Sequence, residues 1–131
     1  MNLFLATLAL LSLGTAANAG ASIEGRWLNP KGSVTIEVAQ CGNAYCGTVV
    51  EASPKARRDA RRGGTVNLIG TRLMTGFTPD GRGGWKGRIF LPKHNVHAGG
   101  QIRPLSANML SIKGCAFGGL ICKEQRWRRV R

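Results

Sequence analysis

The chain has 131 residues, with 19 Lys or Arg against 6 Asp or Glu, a formal charge of +13 at neutral pH. That length allows a single hydrophobic core, and that balance favours phosphates, lipid headgroups or acidic glycans as partners, or serves solubility alone. The most apolar stretch, Leu3 to Leu13, falls short of the roughly twenty residues that a membrane-spanning helix needs.

Residues 1–19 carry no charged side chain and end in Ala17-Asn18-Ala19. This is the pattern of a secretory signal peptide cleaved before Gly20. The first cysteine is Cys41, so no lipid anchor is expected at the cleavage point. Taking 19 residues from 131 leaves 112, a single domain over 20–131 that carries all of the charge. Its expected destination is the periplasm or the exterior.

Ile23 to Leu28 is followed by Asn29-Pro30-Lys31-Gly32, a turn sequence in which Pro fixes φ and Gly accepts a positive one. From Ser33 to Val38 the residues alternate, with Val34, Ile36 and Val38 inward and Ser33, Thr35 and Glu37 toward water. Cys41 to Cys46 turns the chain, and Gly47 to Ala52 returns as a third strand. Ser53 to Gly64 breaks the pattern. Ser53 suits an N-cap, Pro54 a first helical position and Gly63 a stop, around a short basic helix or loop near 54–63. Lys55, Arg57, Arg58, Arg61 and Arg62 there face one acid, Asp59, and form either an anion-binding lobe or a solvated surface.

Val66 to Phe77 is apolar and extended, with bends at Gly70 and Gly76, and Pro79 to Gly84 is a turn. Trp85, Gly87, Ile89 and Leu91 alternate with Lys86 and Arg88 as a strand. A loop is expected from Pro92 to Gly100. Strands follow at Gln101–Leu105 and Met109–Cys115, and a closing strand at Cys122–Val130. Seven or eight short strands with no long helix describe an all-β antiparallel barrel or sandwich.

Four cysteines in an exported chain allow three pairings. The spacings Cys41-x4-Cys46 and Cys115-x6-Cys122 each bracket a Gly-containing turn and favour local pairs, each stabilising by about 2 kcal/mol in the chain-entropy model. A zinc site built from all four is the alternative, though neither spacing is a usual one for zinc.

Gly25-x-Trp27, Cys41-Gly-x-x-Tyr-Cys46-Gly-x-Val-Val50, Trp85-x-Gly87-x-Ile89, Leu110-x-Ile112-x-Gly114-Cys115 and Trp127-x-Arg129-Val130 together resemble the bacterial family called domain of unknown function 2147. The resemblance covers nearly all of the chain after residue 19. It implies an exported, up-and-down lipocalin-like barrel without an established enzymatic activity. Phe90-Leu91-Pro92 departs from the family pattern, which has an aromatic-Asp-Pro step there. Trp27 and Arg129 also resemble the structural pair of the wider calycin superfamily, in which a Trp on the first strand lies beneath a basic side chain from the last. A guanidinium over an indole is worth about 0.5–2 kcal/mol and can bond nearby carbonyls, so the pair would plug one end of the barrel.

Catalysis finds little support. The six acids are scattered, no Gly-x-Ser-x-Gly elbow occurs, and His94-x-x-His97 lacks a third ligand. No motif calls for a cofactor or a metal. A barrel of this size is either filled or keeps room for one small ligand. The inward set is Val34, Ile36, Val38, Val49, Ile89, Leu91, Ile102, Leu110 and Ile112. Three functions follow: binding of a small apolar or amphipathic, lipid-like molecule; binding of an anionic envelope polymer through the arginines of 55–62 with Lys123, Arg126, Arg128 and Arg131; or inhibition of another enzyme. Sequence-specific nucleic-acid reading is not expected, because aromatic stacking residues are scarce beside the arginines.

Overall fold

The computed structural model describes residues 22–131, so the expected signal segment lies outside the described residues. Eight strands form one closed antiparallel barrel in chain order: β1 (Gly25–Leu28), β2 (Val34–Cys41), β3 (Ala44–Ala52), β4 (Arg72–Pro79), β5 (Trp85–Leu91), β6 (Val96–Ser106), β7 (Met109–Ala116) and β8 (Ile121–Arg129). One helix, α1 (Pro54–Arg62), interrupts them between β3 and β4. This is the all-β barrel with one short helix that the sequence implies. Because every neighbour is antiparallel, the connections sort to two ends. The β1–β2 turn, α1 with its connection to β4, the β5–β6 loop and the β7–β8 hairpin share one end. The β2–β3, β4–β5 and β6–β7 turns share the other with both chain termini.

Both disulfides are the local ones. Cys41 and Cys46 lie diagonally across the β2–β3 hairpin, Cα to Cα 5.8 Å, and Cys115 faces Cys122 directly across β7 and β8 at 4.1 Å. The first turn is tighter than its cysteine spacing suggests. β2 and β3 run through to Cys41 and Ala44, leaving only Gly42 and Asn43 in the loop, with Gly42 at φ 66°. That positive φ matches the twist of a two-residue hairpin.

Ring closure rests on Trp27 and Arg129. β1 and β8 pair at Trp27↔Arg129 and Leu28↔Arg128, and the seam continues past β8, where Arg26 N donates to the Arg131 carbonyl and Val130 N to the Arg26 carbonyl, both at 2.9 Å. The Arg129 guanidinium lies 4.3 Å from the centre of the fully buried Trp27 ring. It donates to three carbonyl oxygens: Ala107 from Nε at 2.8 Å, Glu24 from Nη1 at 2.6 Å and Ser22 from Nη2 at 2.8 Å. Trp27 Nε1 in turn donates to the Ile23 carbonyl at 2.9 Å. Gly25 makes the approach possible. It sits at φ 126°, and a Cβ there would come within 2.5 Å of Arg129 Nη1 and 2.6 Å of the Arg131 carbonyl.

The interior is occupied by side chains. Trp27, Ile36, Val38, Val49, Met74, Phe77, Ile89, Ile102, Leu110, Ile112 and Trp127 form one buried cluster, to which Ile23, Ala60 and Leu68 belong. Glycines open space for it. A Cβ on Gly87 would lie 2.7 Å from Phe77 Cδ2 and 2.7 Å from the Thr75 carbonyl, and one on Gly100 would lie 2.6 Å from Ile89 and 2.9 Å from Phe77.

Several expectations are corrected. The loop expected over Pro92–Gly100 is only Pro92 to Asn95, because β6 starts at Val96 and keeps pairing β5 through Gly99 and Gly100. The strand expected over Val66–Phe77 starts at Arg72; before it, Leu68 is buried and Gly70 N donates to the Val49 carbonyl at 2.8 Å. Thr35 does not face open water. A register shift follows it, and it is buried among Arg26, Glu51 and Val130, where the C-terminal residues run alongside β1. Leu91 keeps inward parity but is 38% exposed, since β5 ends there beyond the reach of the core. Val34, at the matching height on β2, is half-buried.

At the terminal end Asp80 fastens the β4–β5 turn. Its Oδ1 accepts from Arg82 N at 2.7 Å and Gly84 N at 3.1 Å, and Arg103 reaches its Oδ2 at 3.4 Å. These backbone donors, with Arg103 and Arg82 adding charge, hold its pKa below the ordinary 3.8.

Two stability predictions follow from closure and packing. Arg129→Lys keeps the charge but loses the planar fork, and should lower stability by about 1–2 kcal/mol in urea unfolding; an unchanged midpoint would mean the ring closes without the fork. Gly87→Ala forces a methyl against Phe77 and the Thr75 carbonyl, and should cost about 1–3 kcal/mol in the same assay, whereas a neutral result would reveal spare room inside.

Candidate functional site

α1 forms where the local signals place it. Ser53 Oγ accepts from Ala56 N at 3.1 Å, Pro54 occupies the first turn, and Arg61 and Arg62 lie in the last turn, where the helix dipole favours cations. Gly63 is required for a reason other than φ, which is −79°. A Cβ on it would collide with the Pro92 carbonyl and lie 2.6 Å from Lys93 C, so the end of α1 is pressed against the β5–β6 loop. Ala60 is buried and Ala56 partly so against the core, and the helix thus covers part of the barrel end.

Lys55, Arg57, Arg58, Arg61 and Arg62 are all exposed on this helix. Asp59 answers two of them, Lys55 at 3.0 Å and Arg62 at 3.6 Å. The hydrogen bond from Lys55, aided by the charges of Lys55, Lys93 and Arg62, holds the Asp59 carboxyl below its ordinary 3.8. Arg57, Arg58 and Arg61 make no ion pair among the described residues. Arg72, Lys93 and Lys123 lie at the same end and add to this field; their separation in sequence hid that grouping. By contrast Arg128 and Arg131 belong to the terminal end, and Arg126 lies between the two, so the basic group expected from the sequence is divided.

The residues expected to line a cavity are mostly core. Ile36, Val38, Ile89, Ile102, Leu110 and Ile112 are buried in the central cluster, whereas Val34 and Leu91 sit at the rim of the α1 end. Two open clefts lie on the outer wall instead. One of about 280 Å³ is bounded by Arg26, Thr35, Glu51, Val130 and Arg131, the other of about 220 Å³ by Glu37, Ala39, Cys41, Cys46, Thr48 and Val50. His94 and His97 are exposed, and the His97 ring stands 4.9 Å from that of Phe90.

One grouping escaped the sequence reading. Of the nine exposed large apolar side chains among the described residues, seven gather at the α1 end: Val66 and Ile69 after the helix, Leu91 and Val96 beside the β5–β6 loop, and Phe117, Leu120 and Ile121 in the β7–β8 hairpin. Leu91 pairs Val96 and shares the inward parity of Ile89 and Ala98, so both form the lip of the barrel. Beside them β8 is unpaired with β1 from Ile121 to Trp127. Lys123 and Gln125 therefore remain exposed, although they share the inward side with Trp127, whose Nε1 donates to Gln125 Oε1 at 3.0 Å. The signal was a run of glycines and apolar residues between two cysteines, Cys115 to Cys122.

Protein HP1028 from the human pathogen Helicobacter pylori, described as belonging to the lipocalin family, has a similar fold: TM-score 0.67 over 86% of this chain and 85% of that one, at 10% identity. No curated protein matches the sequence. The family profile described as "Uncharacterized protein conserved in bacteria (DUF2147)" matches residues 25–129, from the glycine beneath Arg129 to Arg129 itself, and the chain belongs to that family.

Proposed function

We propose that this is an exported, non-catalytic binding protein that takes a small amphipathic anion, an apolar tail with a carboxylate or phosphate head, at the α1 end of its barrel. The observation that carries this is the meeting, at one end, of the apolar lip formed by Leu91 and Val96 with the unpaired arginines of α1. A lipocalin-like barrel is compatible with holding one small ligand in its mouth. Here the core fills the middle, so the ligand rests on the rim. Two disulfides fit an oxidising compartment. A polyanion held by charge alone would use the same arginines but leave the lip without a role.

A dansyl-labelled fatty acid tests this. It should bind saturably in the micromolar range, and Leu91→Asp with Val96→Asp should weaken it by about tenfold or more, since both side chains are already exposed and folding should survive. Replacing Arg57, Arg58 and Arg61 by Ser should weaken binding and flatten its salt dependence. Asp59→Asn should strengthen it. The Asp59 carboxylate stays ionised down to its lowered pKa, so the advantage of the variant should be full at pH 7 and fade as the probe's own carboxyl is protonated, over roughly pH 5 to 4. Absence of saturable binding would discard the proposal; binding indifferent to Leu91 and Val96 but steep in salt would favour the polyanion.

A further inference from the structure

The β7–β8 hairpin has a composition that the small-ligand reading does not use. Its loop presents Phe117 at 76% exposure and Leu120 at 86%, with Ile121 at 56% where β8 begins. Phe117 lies at φ 55°, a conformation that bulky side chains rarely adopt, and Gly118 and Gly119 follow at 66° and 89°. The chain therefore accepts an unfavourable backbone to hold an aromatic ring out in solvent, where it adds nothing to the core. The tip is also stiffened. Gly119 N donates to the Ala116 carbonyl at 3.2 Å, and the Cys115–Cys122 bridge closes its base.

Behind the apolar tip come cations. Lys113 and Lys123 flank the bridge on opposite faces of the hairpin, and Lys93 stands at the same end. The acid of this arm, Glu124, accepts the Ser111 hydroxyl at 2.7 Å. The last strand pair, Ala116↔Ile121, lies one residue beyond the bridge, roughly 3.3 Å, and the turn of residues 117–120 caps the hairpin past it. A short apolar tip of this kind suits the shallow layer of about 5–10 Å in which apolar groups enter the boundary between headgroups and acyl chains. We infer that this hairpin is a membrane-docking arm, its Phe117–Leu120 tip entering the interface of an anionic bilayer while Lys113, Lys123 and Lys93 meet the headgroups. The occupant is chosen by charge: a chain of +13 that groups its exposed apolar residues with basic ones suits an anionic lipid surface, whereas two copies of this tip would bring like charges together. This goes beyond binding of a single amphipath and does not depend on it.

Phe117→Trp in the full chain places a reporter at the tip, against a wild-type background of Trp27, Trp85 and Trp127. With vesicles of phosphatidylglycerol and phosphatidylcholine, its emission should shift to the blue and be quenched by brominated acyl chains, beyond any change in wild type. Pure phosphatidylcholine should produce neither effect. Adding Leu120→Ser should raise the lipid concentration needed by about tenfold, and Lys123→Glu should raise it and reduce the salt sensitivity. A solvent-like emission at saturating anionic lipid would overturn the inference. So would an equal response to zwitterionic vesicles, or a blue shift that grows with protein concentration in the absence of lipid, the mark of self-association. Fatty-acid binding reports on Leu91 and Val96 separately, so either proposal can fail alone.

Discussion

One guanidinium lies over the seam where the two ends of the barrel meet and adds its bonds to the backbone ladder there. β1 is four residues long and pairs β8 at two positions, and Arg26 extends the seam through backbone bonds with Val130 and Arg131. Arg129 adds to this by stacking on Trp27 and tying the N-terminal segment and the β6–β7 turn to the last strand through three carbonyl bonds. These bonds are charge-assisted, and the planar fork supplies all three donors from one group. Concentrating closure at one end has a consequence at the other. Because β1 stops at Leu28, β8 from Ile121 to Trp127 has no partner across the seam, and the β7–β8 hairpin is held to the ring through β7 alone, which pairs β6 up to Cys115. The sealed end is structural; the splayed end has the exposed chemistry.

The small size of the chain determines what that chemistry can be. Around 110 residues spread over eight strands enclose little volume, and Phe77, Met74 and Ile89 fill it by leaning over inward positions occupied by Gly47, Gly87 and Gly100. A Cβ on Gly47 would already touch Met74 Sδ at 3.0 Å. Glycine in a strand usually weakens it, so three of them facing one aromatic and two aliphatic side chains indicate that packing offsets the loss. An interior built this way favours recognition on its rim over enclosure within it.

Local chemistry was legible in the sequence, and height along the barrel was not. The Ser53–Pro54 start and Gly63 end of α1 are set by caps and sterics within a few residues, and both cysteine pairs follow from hairpins closed nearby. Alternation also named the inward faces correctly for Ile36, Val38, Ile89, Ile102, Leu110 and Ile112. It could not say where along a strand the core stops, which is why Leu91 was counted with Ile89. Gly100 resembled part of a loop because its role, clearing space for Ile89 and Phe77, depends on contacts with neighbouring strands. The clustering of α1 with Lys93, Lys123 and the apolar lip likewise needs the up-and-down order before it can be seen.

The two disulfides sit on hairpins at opposite ends, and each does a different job. Cys41–Cys46 lies in a pair that the ring supports on both sides, since β2 has β1 and β3 has β4 as further neighbours. Cys115–Cys122 has no such support on the β8 side, where Ile121 to Trp127 present an open strand edge. Unpaired edges invite pairing with other chains, and alternating Lys123, Glu124 and Arg126 discourage it while the bridge keeps the strand from fraying. A stapled and charged hairpin, open along its β8 edge and ending in Phe117 and Leu120, is therefore not a loose end of the fold. The staple keeps apolar side chains at a fixed distance from their flanking cations, an arrangement that folding alone does not require.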